Sequence, residues 1–306
     1  MLQSPAVRTH GLTKSYGDVQ ALRGVDLEVR RGEIFGFLGP NGSGKTTTIR
    51  CLLDLIRPSG GRLRVLGLDP QAEPVAVRAR VGYLPGELRF DDNLTAEGVL
   101  RFFNRLRGGA ADPAFTRHLA GCLGLDLQTP IKNLSKGNKQ KVGMVQALMH
   151  RPELLLLDEP TSGLDPLAQQ EVLRLIGEAR QAGATVFFSS HVLSEVQEVA
   201  ERVAILRRGA VVEVAETAAL LGRALRRVRV RFRQPPDDGV LARVPGVKVL
   251  ERDQRGGVLL QVSGEMDALI KALAAFSVSD FETQRPSLEE IFLAYYEGDG
   301  KEGGPV

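Results

Sequence analysis

Eight residues, GPNGSGKT at positions 39–46, constrain this chain more than any other stretch. A glycine-rich run ending in lysine and a hydroxyl residue folds as a loop whose backbone N–H groups face a phosphate. Lysine then reaches the outer phosphates and the hydroxyl is free to hold Mg²⁺. That loop needs a buried strand before it and a helix after it, and both are predicted. Residues 33–38 form a short apolar run, while TTTIRCLLDLI at 46–56 has helical spacing and ends before Pro58. Gly39, Pro40, Asn41, Gly42, Ser43, Gly44, Lys45, Thr46 and Thr47 are therefore the candidate phosphate-contacting residues.

The rest of the first two-thirds fits a sheet around such a loop. ELLLLDEP at 153–160 and ATVFFSS at 184–190 contain short, fully apolar runs, as strands of a parallel sheet covered on both faces do. Helical patterns at about 166–181 and 194–201 alternate with them, which implies a doubly wound α/β layer. Residues 6–35 read as short strands broken by turns at Gly17 and Asp18 and at Arg31 and Gly32. The section from about 88 to 150 reads mostly as helices.

The pattern changes near Gly222. RVRVRFR at 227–233 alternates arginine with apolar residues, as a strand with one wet face does. A helix at 237–243, two strands around 254–257, a helix at 265–276, a further strand and a last helix at 287–296 follow. That order is the split βαβ arrangement of a small α+β, ferredoxin-like domain. The arginines invite a lipid or nucleic-acid reading, but arginine alternation is also how an exposed strand resists aggregation, and a solvated face is preferred. Residues 299–306, rich in glycine and charge, are predicted to be a flexible tail.

Composition narrows the class. With 306 residues there is room for one large domain and a small one. A hydrophobic content of 43% with 25% charged residues excludes a disordered or fibrous chain. The formal net charge of +3 is too small to argue for a nucleic-acid partner. Cys51 and Cys122 stand far apart, match no metal spacing and read as reduced thiols. The start, MLQSPAVRTH, has no apolar leader, and LLLL at 154–157 is far too short to span a bilayer, so a cytoplasmic chain is expected.

Four further features carry chemistry. Asp158 follows the apolar strand where a nucleotide-binding sheet places an acid to hold Mg²⁺, and Glu159 beside it is placed to polarise an attacking water. SGLD at 162–165 follows, and Asp165 reads as the cap of the helix that begins at Pro166. His191 ends the VFFSS strand at its carboxyl edge, where α/β sheets bind ligands, within reach of a γ-phosphate. LSKGNKQK at 134–141 sets a serine, a glycine and three lysines at the front of a helix, a second place fit for an anion.

Taken together, GPNGSGKT, LSKGN, LLLLDEP, SGLD and His191 resemble, in order, the ATP-binding subunits of ABC transporters, over roughly residues 7–215. The family signature usually reads LSGGQ. Here Lys136 and Asn138 replace a glycine and the glutamine, while Ser135 and Gly137 remain. This variant, with a C-terminal extension ending in PSLEEIFLAYYEG, resembles the branch that works with separately encoded exporter permeases.

The resemblance implies a RecA-like P-loop core with a small antiparallel β subdomain and a helical subdomain, plus the ferredoxin-like domain. The boundaries would be 1–222 for the ATP-binding domain, with the helical subdomain at about 88–150, and 223–298 for the accessory domain. It also implies head-to-tail pairing with a second ATP-binding subunit, preferably a second copy, in which Ser135 and Gly137 act on the partner's ATP. In this reading ATP and Mg²⁺ are bound, Lys45 holds phosphates, Thr46 and Asp158 hold the metal, and Glu159 orients or deprotonates water. His191 steadies the γ-phosphate, Asp165 lies at the shared site, and Tyr16 stacks on adenine.

One place departs from the family pattern. After VGYLP the family has glutamine, and here Gly86 stands there, followed by Glu87. Either Glu87 substitutes as a metal ligand in altered register, or coupling and hydrolysis are weakened; the first is preferred. Two rivals stand beside the exporter reading: an ABC-type ATPase serving a non-transport assembly, and a nucleotide sensor that does not hydrolyse.

Overall fold

The computed structural model describes residues 4–223, 226–234, 236, 238–253, 256–263, 265–284 and 288. The expected helix at 287–296 and the tail at 299–306 lie outside these residues, apart from Leu288. Two compact units divide the chain after Thr217.

In the first unit the elements follow as β1 (Val7–Tyr16), β2 (Val19–Val29), β3 (Ile34–Leu38), α1 (Lys45–Leu52), β4 (Gly60–Val65), α2 (Pro74–Ala79) and β5 (Val81–Leu84). Then come α3 (Ala96–Leu106), α4 (Pro113–Cys122), a 3₁₀ turn at Ile131–Asn133, α5 (Lys136–Leu148), β6 (Leu154–Asp158), α6 (Pro166–Gln181) and β7 (Thr185–Ser190). The unit closes with α7 (Leu193–Val199), β8 (Arg202–Arg207) and β9 (Ala210–Glu216), and α8 (Thr217–Arg223) begins at its end.

A six-stranded sheet, in the order β5-β6-β7-β3-β8-β9, is parallel except for β9. Its central strands β3, β6 and β7 have no wet face, whereas the edge strand β9 is partly exposed along its length. Every residue of β3, β6 and β7 is buried, which is why they read as unbroken apolar runs rather than alternating ones. Phe187 stacks on Phe35 with centroids 5.8 Å apart and meets Phe37 at 5.1 Å, tying β7 to β3 at their centre. Because both strands end at the same edge, the loops after β3, β6 and β7 are brought together there. A separate antiparallel sheet, β2-β1-β4, packs its apolar face into the same core.

Helix α1 stops at Leu52, four residues short of the predicted end. Asp54 takes a left-handed φ of 51°, the Leu55 N–H turns back to Arg50 O at 2.9 Å, and the chain leaves the helix although its apolar spacing continues. The helical section contains α3, α4 and α5. Thr95 and Asp112 cap α3 and α4 with side-chain oxygens that accept from Gly98 and Ala114 N–H.

In the second unit β10 (Arg226–Phe232), α9 (Asp238–Ala242), β11 (Val247–Arg252), β12 (Gly257–Val262), α10 (Asp267–Leu273) and β13 (Val278–Gln284) form one antiparallel sheet in the order β11-β12-β10-β13. This is the split βαβ arrangement. Val228, Val230 and Phe232 of β10 point into its core with Leu241 and Leu269, while Arg227, Arg229 and Arg231 alternate outward. Acidic residues stand beside the arginines: Glu282 is paired with Arg229 and Asp280 with Arg231 across β13. Cross-strand opposite charges suit a solvated face.

Candidate active site

The loop between β3 and α1 has a phosphate cradle's backbone. Gly44 stands at the helix N-cap with φ 112°, which a side chain rarely adopts, and a Cβ there would lie 2.8 Å from Ala21 O. Helix α1 has no side-chain cap and no acid in its first turn, and it opens with Lys45. A cation at a helix N-terminus opposes the helix dipole, so the arrangement makes sense only if an anion is shared by the lysine and the amides. Ser43 Oγ is buried and makes no hydrogen bond within the protein, a polar atom waiting for a partner in the same loop.

Lys45 is 5% exposed. Its ammonium donates to Gly39 O at 2.6 Å and Pro40 O at 3.3 Å, and lies 3.2 Å from Glu159 Oε1. That carboxylate oxygen is buried and makes an ion pair without hydrogen-bond geometry. The other oxygen, Oε2, is 2.6 Å from His191 Nδ1. Glu159 itself has φ 52°, a left-handed backbone that costs a non-glycine residue about 1–3 kcal/mol and clusters at functional sites. Its N–H is held by Ser189, donating to both the carbonyl and Oγ at 3.2 Å.

Next to it, both oxygens of the buried Asp158 carboxylate are engaged. Thr46 Oγ1 donates to Oδ2 at 2.7 Å and Ser189 Oγ donates to Oδ1 at 2.6 Å. Thr46 and Asp158 thus converge as two hard oxygen donors. Among the described residues no group of three His, Cys, Asp or Glu side chains stands ready to hold a metal. That fits Mg²⁺, which takes one or two protein oxygens and fills its remaining positions with phosphates and water.

Glu87 does not join this pair. Its side chain is exposed, and the position that faces Asp158 is Gly86, where a Cβ would lie 3.1 Å from Asp158 Oδ2. The strand direction decides this: after β5 the chain turns with residue 86 toward β6 and residue 87 toward solvent, so the expected substitution of Glu87 as a metal ligand is corrected. Tyr16 ends β1 with 48% exposure and the Lys14 ammonium 5.0 Å from its ring centroid, so it is a surface ring rather than a core one.

The signature stretch packs against the loop after β6. Ser135 caps α5 and accepts from Asn138 N–H. Gly137 lets α5 come so close to the turn at 162–165 that a Cβ would lie 2.7 Å from Gly163 O. Asp165 caps α6, and the Ala168 N–H it accepts holds its carboxyl below the usual range. Asn41, Gly42 and Thr47 lie in the loop and first turn of α1.

Three residues escaped sequence reading. Gln140, buried in α5, donates to the carbonyls of Glu159 at 3.0 Å and Pro160 at 3.2 Å. Ser189 orders Asp158 and Glu159 as described. Glu195, buried in α7, accepts from Thr161 and Ser190. Gln140 lay inside a stretch already singled out, whereas a lone serine in an apolar strand and a lone glutamate on a helix carry no spacing signal.

Fold and site define a P-loop ATPase of the cassette type, with one complete phosphate loop and one signature helix. The comparisons agree. Residues 22–162 match the ABC transporter family and residues 221–296 match the C-terminal domain of DrrA1-3-like ATP-binding proteins. The daunorubicin/doxorubicin resistance ATP-binding protein DrrA of Streptomyces peucetius is 34% identical over 94% of this chain and 92% of its own. The bacitracin transport ATP-binding protein BcrA of Bacillus licheniformis is 38% identical over 69% of each chain. Among solved structures, the dimeric post-hydrolysis state of an ATP-binding cassette bound to ADP and Pi superposes with a TM-score of 0.61 at 27% identity. That match covers 69% of this chain and 98% of the other. The chain belongs to the ABC transporter ATP-binding proteins, and it is an ATPase.

Proposed function

We propose that this chain powers export through a separately encoded membrane permease, pairing head to tail with a second copy so that each signature helix closes on the partner's nucleotide. The cluster of Lys45, Glu159 and His191 beside Thr46 and Asp158 is the observation that carries the reading. It supplies, within one edge of one sheet, a cation for phosphates, two oxygens for a metal, and a carboxylate paired with an imidazole for the water.

In this mechanism the loop amides and Lys45 hold the β- and γ-phosphates and fix them against α1. Thr46 and Asp158 would hold Mg²⁺, which neutralises charge on the phosphates when bound. Glu159 orients the water and takes its proton, and His191 holds that carboxylate by its Nδ1 and steadies the γ-phosphate. Phosphoryl transfer depends mostly on such positioning and charge stabilisation. Tyr16 offers a ring to the adenine. Across the pair, Ser135, Gly137 and the turn at Asp165 complete the partner's site, with the amides at the front of α5 favouring an anion.

Export is supported by the drug-resistance and bacitracin-transport roles that the relatives above are named for. Contact with a permease is supported by Phe102 and Leu106 on α3, which lie one turn apart and are 52% and 67% exposed. Among the described residues no helix is long and apolar enough to cross a membrane. The test is the molar mass of Glu159→Gln by light scattering, with and without Mg²⁺ATP. A nucleotide-dependent dimer is expected; a monomer under both conditions, with ATP binding verified, would overturn the homodimer.

A further inference from the structure

Beneath the site lies an ionisable group that the mechanism does not use. Glu195, in the first turn of α7, is 6% exposed, and a single oxygen, Oε2, receives two hydroxyls. Thr161 Oγ1 donates to it at 2.7 Å and Ser190 Oγ at 3.2 Å. Thr161 is 3% exposed and Ser190 is fully buried. The donors come from two different segments, the loop after β6 and the carboxyl end of β7. Thr161 stands two residues after Glu159, and Ser190 immediately precedes His191.

A buried carboxylate is a costly way to fill space, and burial pushes the Glu195 carboxyl up while the two hydroxyls pull it back down. What it provides that an apolar residue cannot is one acceptor shared by two separate segments, with hydrogen bonds strengthened by charge. Its own placement is firm. The neighbouring Val196 is fully buried and packs so closely on β3 that a Cβ on Gly36 would lie 2.4 Å from its Cγ1. The Ser190 hydroxyl also accepts from Val192 N–H at 2.9 Å, so the turn that carries His191 is held from both sides. His191 and Glu159, which approach to 2.6 Å, are carried by the two segments that these hydrogen bonds join.

We propose that Glu195 is a positioning residue for ATP hydrolysis, joining the loop after β6 to the carboxyl end of β7 so that Glu159 and His191 meet. This rests on the roles given to those two residues above. The experiment is steady-state turnover and ATP binding of the full chain carrying Glu195→Gln, Glu195→Leu or Thr161→Val, beside Glu159→Gln and His191→Ala.

Small misplacements at a reacting centre are expensive, so Glu195→Leu is expected to lower kcat about tenfold with KM for ATP within about twofold. Glu195→Gln keeps an oxygen for both hydroxyls and should stay within about threefold of the parent, with Thr161→Val between the two. Wild-type kcat in Glu195→Leu, or equal losses in Gln and Leu, would overturn the proposal. Should Glu195→Leu not fold, wild-type kcat in Thr161→Val would overturn it equally. If Glu159→Gln and His191→Ala turn over normally, the site reading itself falls. If those two are inactive while Glu195→Leu is unimpaired, only the role of Glu195 does.

Discussion

His191 Nδ1 lies 2.6 Å from Glu159 Oε2, while the other oxygen of that carboxylate lies 3.2 Å from the Lys45 ammonium. One carboxylate is thus held between an imidazole and a cation, on a residue whose φ of 52° turns its side chain out of the strand and over the phosphate loop. Removing its charge while keeping its shape separates the two duties. Glu159→Gln should bind ATP as the parent does, yet lose about 10²–10⁴ in turnover, the usual worth of a positioned base. Phosphate release at saturating Mg²⁺ATP measures this, and turnover within tenfold of the parent would move the base elsewhere.

The pair Gly86 and Glu87 yields opposite expectations for neighbouring residues. Glu87 is exposed, so Glu87→Ala should leave turnover and the Mg²⁺ concentration for half-maximal activity within about twofold. Gly86→Ala adds a methyl 3.1 Å from Asp158 Oδ2, tight enough to press on the oxygen that Thr46 contacts. It should raise the Mg²⁺ requirement. A Mg²⁺ titration of both variants decides, and a shift confined to Glu87→Ala would reinstate the exposed acid as a ligand.

Legibility in the sequence followed chemistry and periodicity. The phosphate loop, β3, β6, β7 and α6 could be read because glycines, lysine and apolar runs are demanded by the contacts they make. The ends of elements could not, since α1 continues its apolar spacing through Leu55 and Ile56 while Asp54 already turns the backbone away. The strands β4, β8 and β9 went unread: β4 and β9 are sheet-edge strands only partly buried, and the interior strand β8 follows a helix with no turn signal. Gly86 was visible as a departure, but which neighbour faced Asp158 depended on strand direction. Glu195 was invisible because its meaning lies in two hydroxyls, Thr161 and Ser190, that only the fold brings to it.

Acid should find a weak point at His150. Burial, and then the charge of Arg107, lower its imidazole from 6.5 to about 4. The folded value is depressed, so between 6.5 and about 4 the unfolded chain takes up a proton that the folded chain refuses. The stability is present above 6.5 and is lost as pH falls through that window. Urea unfolding midpoints across it should fall more steeply for the parent than for His150→Gln. Parallel curves would mean that the ring is freely protonated in the folded state.

Gly137 tests whether the signature helix and the catalytic loop move as one piece. A Cβ at this position would stand 2.7 Å from Gly163 O, a backbone atom that cannot swing aside. Gly137→Ala must therefore push α5 off the turn at 162–165 and strain the grip of Gln140 on the carbonyls of Glu159 and Pro160. Alanine improves helix propensity by about 1 kcal/mol, and the overpacking costs about 1–3 kcal/mol, so a net loss of stability is expected. Turnover should fall more than ATP affinity, because the displaced loop carries Glu159 and not the phosphate cradle. Gly121→Ala in α4 is the matched control: nothing lies within 4 Å of its Cβ, and it should gain stability by up to about 1 kcal/mol. Denaturant unfolding and turnover of both variants settle the matter, and a Gly137→Ala protein as stable and active as the parent would show that α5 and the turn are not locked together.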